Sequence, residues 1–343
     1  ISNDAIIHPQ QPNRVANGLI NTSKTLSFYF NQNHMVGYEG DTLASALLAN
    51  DKIFVARSFK YHRPRGIFSS GPEEPNALVQ LGKGENQEPN TKATTTELFD
   101  GLIASSQNHR GTLEYDFMAI NDFFYPFLSA GFYYKTFMWP KSFWEKVYEP
   151  IIRSSAGLGS LSGKEDPSIY DKGFLHCDLL IIGSGPSGIS AALQAGRAKL
   201  NVILADDDFI SGGRINSEKF EINSLSGNQW ISEAITELKS MDNIRIMNRT
   251  TIYGVFDHGI FGALERKTDH ISNDNNKPRQ VLWRIYSKRS LLASGSTERS
   301  IAFGNNDRPG IMLSGAVRSY LNRWGVAPGR NIVLFTNNDD GWK

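Results

Sequence analysis

The sequence predicts an α/β protein of two units, a small sheet domain followed by a Rossmann-type domain. Three observations carry this. An apolar run, Cys177-Asp178-Leu179-Leu180-Ile181-Ile182, leads directly into Gly183-Ser184-Gly185-Pro186-Ser187-Gly188, a small-residue helix and a second apolar run. Near the start, two alternating segments, Leu26–Phe30 and Met35–Tyr38, flank Asn31-Gln32-Asn33 and read as a hairpin. The chain has 343 residues, 40% hydrophobic and 21% charged, an ordinary globular balance that leaves room for two or three domains.

Taken in order, residues 1–22 are polar and read as a tail or docking arm. After the hairpin, Gly40-Asp41 opens Thr42–Ala49, where Leu43, Ala46 and Leu47 share a helical face and Asp41 is placed to cap the first turn. Hairpin, short helix and further strands suggest a β-grasp domain like that of plant-type ferredoxins, over residues 1–112 with the tail. The one cysteine, Cys177, lies elsewhere. The expectation is therefore a cluster-free domain, with no disulfide framework and no multi-cysteine metal site.

The segment Arg57-Ser58-Phe59-Lys60-Tyr61-His62-Arg63-Pro64-Arg65-Gly66 mixes cations and aromatics. It is compatible with stacking and holding RNA. The run is short and no second element supports that use, so the preferred reading is a loop that packs its rings and snorkels its charges against a neighbour. A net charge of +1 gives no general argument for nucleic acid or an anionic membrane. Residues 113–170 read as a linker, with fourteen aromatic residues between positions 115 and 148. Such rings supply contact area between domains or against a partner protein. A membrane-interface belt would flank an apolar span of roughly 20 residues, and the sequence has none.

The Rossmann-type domain is assigned to 171–330. The first glycine, Gly183, permits a tight turn; the second, Gly185, permits close approach of a pyrophosphate; the third, Gly188, lets helix pack on strand. Ser184, Pro186 and Ser187 complete the cradle at a helix N-terminus. The second strand, Asn201–Ala205, ends at Asp206, placed to accept from ribose hydroxyls. Asp206, Asp207 and Asp208 together oppose a 2′-phosphate, favouring NAD over NADP, with FAD the rival ligand. Gly212-Gly213-Arg214 is similar to the second nucleotide contact of two-dinucleotide-domain flavoproteins, the reading preferred here over a plain glycine turn. Ala293-Ser294-Gly295, after a strand over 284–293, resembles the Ala-Thr-Gly segment that closes their first nucleotide domain. Residues 331–343 read as a strand, Asn331–Phe335, opening a second Rossmann-like unit whose loop, Thr336–Gly341, lacks the glycine fingerprint.

No nucleophile triad and no His-rich metal pattern is legible, so no catalytic or metal-ligating residue is assigned. Of seven histidines, His62 alone is a candidate ligand contact, and Cys177 reads as a packed thiol. The chain begins with Ile1, shows no signal peptide, and ends on an unpartnered strand; the expectation is a cytoplasmic fragment of a longer protein.

Several long stretches resemble the alpha subunits of heterotetrameric sarcosine oxidases. They include Gly40–Ala49, Arg57–Ile67, Glu74–Leu78, Phe132–Pro140, Phe303–Gly310 and Thr336–Asp340. The resemblance implies an oxidoreductase acting on CH–NH donors, assembled with beta, gamma and delta subunits. Such a complex converts sarcosine to glycine, hydrogen peroxide and a one-carbon unit passed to tetrahydrofolate. It implies NAD at the glycine fingerprint, FAD in the beta subunit, FMN near the alpha–beta interface, and a folate domain outside this chain. The alternative is a subunit of a related amine or opine dehydrogenase, or a scaffold with vestigial nucleotide.

Overall fold

The computed structural model describes residues 11–16, 18–128, 131, 137, 139–155, 159–271 and 277–342. The stretch Phe132–Tyr134, part of the aromatic linker, lies outside the described residues.

Strands β1 (Asn21–Phe30) and β2 (Asn33–Glu39) form the expected hairpin, with Phe28 opposite Met35. Helix α1 (Leu43–Ala49) follows and is buried on every side. Its cap is Thr42 rather than Asp41: the Thr42 hydroxyl accepts from the Ser45 N–H, and the Ser45 hydroxyl accepts from the Thr42 N–H. Asp41 is instead drawn into the core, where it meets the Arg14 guanidinium at 2.6 Å with both side chains fully buried.

Strands β3 (Phe54–Arg57) and β4 (Pro64–Gly66) pair across the basic loop. Then β5 (Leu78–Leu81), β6 (Glu88–Lys92) and β7 (Leu102–Ser106) complete a five-stranded sheet of order β2-β1-β7-β5-β6. Its central pair, β1 and β7, is parallel, as a β-grasp sheet requires.

After a short helix, α2 (Glu149–Ser155), the chain enters the second unit. Strand β8 (Tyr170–Ile182), helix α3 (Pro186–Arg197) and strand β9 (Val202–Ala205) make the βαβ unit. A small hairpin, β10 (Glu221–Ile222) and β11 (Leu225–Ser226), leads to α4 (Gly227–Lys239). Strands β12 (Ile244–Met247), β13 (Thr250–Phe256), β14 (Ile260–Arg266) and β15 (Gln280–Leu292) finish a sheet of order β12-β9-β8-β15-β14-β13. The first four of that order run parallel, and β14 pairs antiparallel with both β15 and β13. Ile181, Leu204, Ile189 and Leu238 fill the space between the sheet and α3–α4. Cys177 is buried beneath it beside Ile285, and burial pushes its thiol up from the ordinary range.

Two features differ from the sequence expectation. Helix α5 (Ser314–Asn322), placed by sequence in the Rossmann domain, contributes to the N-terminal core instead. Tyr320, Trp324 and Val326 are fully buried there with Phe28 and Leu47. The arm at 11–20 joins it: Arg14 donates to the Trp324 carbonyl at 2.7 Å, and Val15 N–H to that of Gly325 at 2.8 Å. Second, Asn331–Phe335 forms no strand. Val333 is 95% exposed, and no neighbouring strand among the described residues supplies the pairing an extended segment needs.

Candidate functional site

The glycine turn sits where β8 ends and α3 begins, and its three glycines meet three different environments. Gly183 has φ +106°, and a β-carbon on it would fall 2.4 Å from the Ala293 carbonyl oxygen. The segment Ala293-Ser294-Gly295 therefore lies directly under the turn, fixed by the Ala293 N–H donating to the Ile182 carbonyl at 2.8 Å. Gly188 backs onto the Gly183 carbonyl. Gly185 differs: a β-carbon there would meet nothing within 4 Å. It caps α3, with Pro186 in the first turn, where missing intrahelical bonds leave amides available to an anion.

Gly185 opens onto a cleft of about 2200 Å³. Pro186, Ser187, Asp206, Asp207, Gly213 and Arg214 line the same space. The paired glycines meet the fingerprint directly, since a β-carbon on Gly213 would be 3.0 Å from the Gly185 Cα. Ser184 is buried and holds the turn from below rather than facing the cleft.

Asp206 is already partly engaged. Its Oδ2 accepts from the Ser184 N–H and, at 2.8 Å, from the Ser184 hydroxyl; its Oδ1 accepts from the Asp208 N–H at 2.9 Å. Asp208 is matched by the Arg323 guanidinium through two bonds of 2.6 and 2.8 Å. Asp207 lies between them. Burial, and then the charges of Asp206 and Asp208, push its carboxyl above the ordinary range. Arg214 is bound by Glu218 and by both oxygens of Asp340 at 2.6 Å.

The rest of the cleft wall comes from segments far apart in sequence. Phe68 and Ser70–Glu73 of the first unit, Thr250–Ile252, and residues 311–319 and 321–324 around α5 all line it. None of these carries a local motif, because topology alone delivers them.

The basic-aromatic loop is built into the first unit. Arg57 donates to the carbonyls of Leu113, His62 and Glu114 at 2.7, 2.7 and 2.9 Å. Arg63 and Arg65 pair with Asp307. His62 is buried, with Nδ1 2.6 Å from an Asp116 carboxylate oxygen. These partners tie the loop to the start of the aromatic segment, whose Tyr115, Phe117, Phe123 and Phe127 remain largely exposed. Among the described residues no group of His, Cys, Asp and Glu could hold a metal ion, and no helix is long and apolar enough to cross a membrane.

With the geometry in place, the chain can be set beside known proteins. Residues 23–109 match the family model of the 2Fe-2S iron-sulfur cluster binding domain. The alpha chain of sarcosine oxidase from Rhizobium meliloti (strain 1021) is 52% identical over 95% of this chain and 33% of its own length. That from Corynebacterium sp. (strain U-96) is 34% identical over 95% of this chain and 29% of its own. An opine oxidase subunit of Agrobacterium tumefaciens (strain Ach5) is 25% identical over 46% of this chain and 31% of its own. The chain thus spans about a third of the length of the curated relatives it matches. Among solved structures, L-proline dehydrogenase from P. horikoshii superposes with a TM-score of 0.61 at 22% identity, covering 93% of this chain and 50% of that one. This likeness shows a shared fold.

Proposed function

We propose that this chain, a member of the sarcosine oxidase alpha-subunit family, is the dinucleotide-binding portion of such a protein, working inside a multi-subunit amine-oxidising complex. One observation carries the nucleotide reading. Gly185 is the only position of the three-glycine fingerprint where a β-carbon would enter empty space, and that space is the cleft. A phosphate group laid against the Gly185 backbone fits there, over the first turn of α3.

NAD is the ligand we favour, with FAD the rival. Gly183, Gly185, Pro186, Ser187 and Gly188 would cradle the pyrophosphate. A carboxylate offers about four acceptor positions, so Asp206, with three in use, retains one for a ribose hydroxyl. The carboxylates at 206–208 make a 2′-phosphate unfavourable. Gly213 and Arg214 would flank the phosphates, with Arg214 exchanging Asp340 for the ligand. This chain would supply no acid, base or nucleophile to amine oxidation; flavins held with the beta subunit do that chemistry. Sarcosine oxidation, peroxide release and transfer of the one-carbon unit to tetrahydrofolate belong to the assembly with beta, gamma and delta subunits. The exposed rings of 115–127 suit contact with one of these.

Calorimetric titration with NAD, NADP and FAD tests the site. NAD should bind, NADP at least tenfold more weakly, and Gly185→Val should abolish binding. A flavin absorbance band in the purified chain would instead assign the cleft to FAD. Peroxide release by the assembled complex, with sarcosine or an opine as donor, decides the substrate. The chain by itself should release none from either.

A further inference from the structure

The first unit matches a cluster-binding domain over residues 23–109, yet that span contains no cysteine. Iron–sulfur clusters of this kind are held by cysteine thiolates, and their anionic sulfurs accept hydrogen bonds from surrounding loop amides. The donor set here does not fit a cluster. The loop between β4 and β5, residues 67–77, does hold an anion of its own. The Glu74 side chain is 1% exposed and turned into the loop. Its Oε2 accepts from the N–H groups of Phe68 and Ser69 at 2.9 and 2.6 Å and from the Ser69 hydroxyl at 3.2 Å. Its Oε1 accepts from the N–H groups of Asn76 and Ala77 at 2.8 and 3.0 Å. Backbone N–H groups can only donate, so the four of them fit a carboxylate and nothing that must give a proton away.

The same loop reaches the cleft. Phe68, Ser70, Gly71, Pro72 and Glu73 line it. The Phe68 carbonyl accepts from the Leu313 N–H, and the Ser69 carbonyl from the Tyr320 hydroxyl, each at 2.9 Å. Leu313 and Tyr320 belong to α5 and its approach, which form the adjoining wall.

We infer that Glu74 replaces an iron–sulfur cluster as the anion around which loop 67–77 is wound, and that through this loop it positions one wall of the nucleotide cleft. The second half rests on the dinucleotide reading given above. Glu74 is a positioning residue and touches no reacting group.

The test uses Glu74→Gln and Glu74→Ala in the whole chain. Glu74→Gln turns an NH2 group toward two backbone donors. Hydrogen–deuterium exchange at the loop amides should then rise about tenfold or more, with the βαβ unit unmoved. Glu74→Ala leaves a carboxylate-sized space lined by donors. Added formate should restore amide protection and thermal midpoint saturably in this variant and leave the parent unchanged. If Glu74→Ala fails to fold, refolding in formate should recover it. NAD affinity should fall about tenfold in Glu74→Gln, against complete loss in Gly185→Val. Unchanged exchange in Glu74→Gln, or indifference of Glu74→Ala to formate, overturns the proposal. So does a [2Fe–2S] absorbance spectrum after reconstitution of the parent with iron and sulfide. The exchange and formate arms use no nucleotide. If the parent fails to bind NAD, the positioning half falls with the dinucleotide reading, and the formate result alone judges the anion.

Discussion

Gly188 lies so close to Gly183 that a β-carbon on it would stand 1.9 Å from the Gly183 carbonyl oxygen. Gly188 of α3 and Gly183 after β8 thus bring the helix onto the end of the strand. Gly185, between them, presses on nothing. Identical substitutions in one short motif should therefore report different quantities.

Gly188→Ala forces helix and strand apart and should destabilise the chain by about 1–3 kcal/mol, the usual cost of overpacking. Gly185 has φ −72° and ψ −177°, extended backbone open to any residue. Gly185→Ala should leave stability within about 0.5 kcal/mol while lowering nucleotide affinity. Denaturant unfolding and calorimetry on both variants check the split.

The Arg14–Asp41 pair is completely buried, with the carboxylate also receiving the Tyr38 N–H and the Ser45 hydroxyl. Arg14→Met leaves that charge without its cation and should cost about 3–5 kcal/mol. Urea unfolding of the variant reads the loss directly.

Asp116 and Asp207 should respond to pH with opposite sign. Burial would raise Asp116, but the N–H groups of Arg110 and Met118 and the His62 ring outweigh it and hold the carboxyl below the ordinary range. Its stabilising contribution is full above the unfolded value of about 4 and is lost as pH falls through the lowered folded value. Asp116→Asn should be the less stable form at pH 7, with the deficit shrinking below about pH 4. Asp207 is raised in the fold, chiefly by burial. Its contribution is present below the unfolded value and lost as pH rises through the folded one. Asp207→Asn should be more stable than the parent at pH 7 and indistinguishable from it below about pH 4. Thermal midpoints across pH 3–8 check both.

Arg323 fastens the end of α5 to Asp208 beside the cleft through paired bonds. Arg323→Met should cost about 1–3 kcal/mol, the range for charge-assisted bonds. Arg323→Lys, which keeps the charge and loses the planar fork, should fall between. Thermal unfolding of the two variants gives the order.

The βαβ unit was legible in sequence because every part of it is local: an apolar strand, a glycine turn, an Ala-rich helix and a second strand follow one another from 177 to 205. The N-terminal hairpin was legible for the same reason. Asp206 was picked out by spacing, but its grip on Ser184 depends on the turn's three-dimensional path. Asp41 looked like a cap because caps are acidic or hydroxylic, and Thr42 took the role when Arg14 claimed the carboxylate. The apolar run at 331–335 has strand-forming residues and, among the described residues, no strand beside it. Helix α5 could not be assigned to the first core by any local signal, since its partners Phe28 and Leu47 lie nearly 300 positions away.

That placement of α5 bears on the order in which the protein can assemble. The β-grasp sheet is complete in sequence at Ser106, yet its core lacks Leu313, Tyr320, Trp324 and Val326 until some 200 residues later. At about 5–20 residues per second, a ribosome leaves that side of the sheet uncovered for roughly 10–40 s. During the wait the whole Rossmann-type unit emerges and can close on its own local contacts. Of these two units, the one synthesised earlier is thus the later to finish folding.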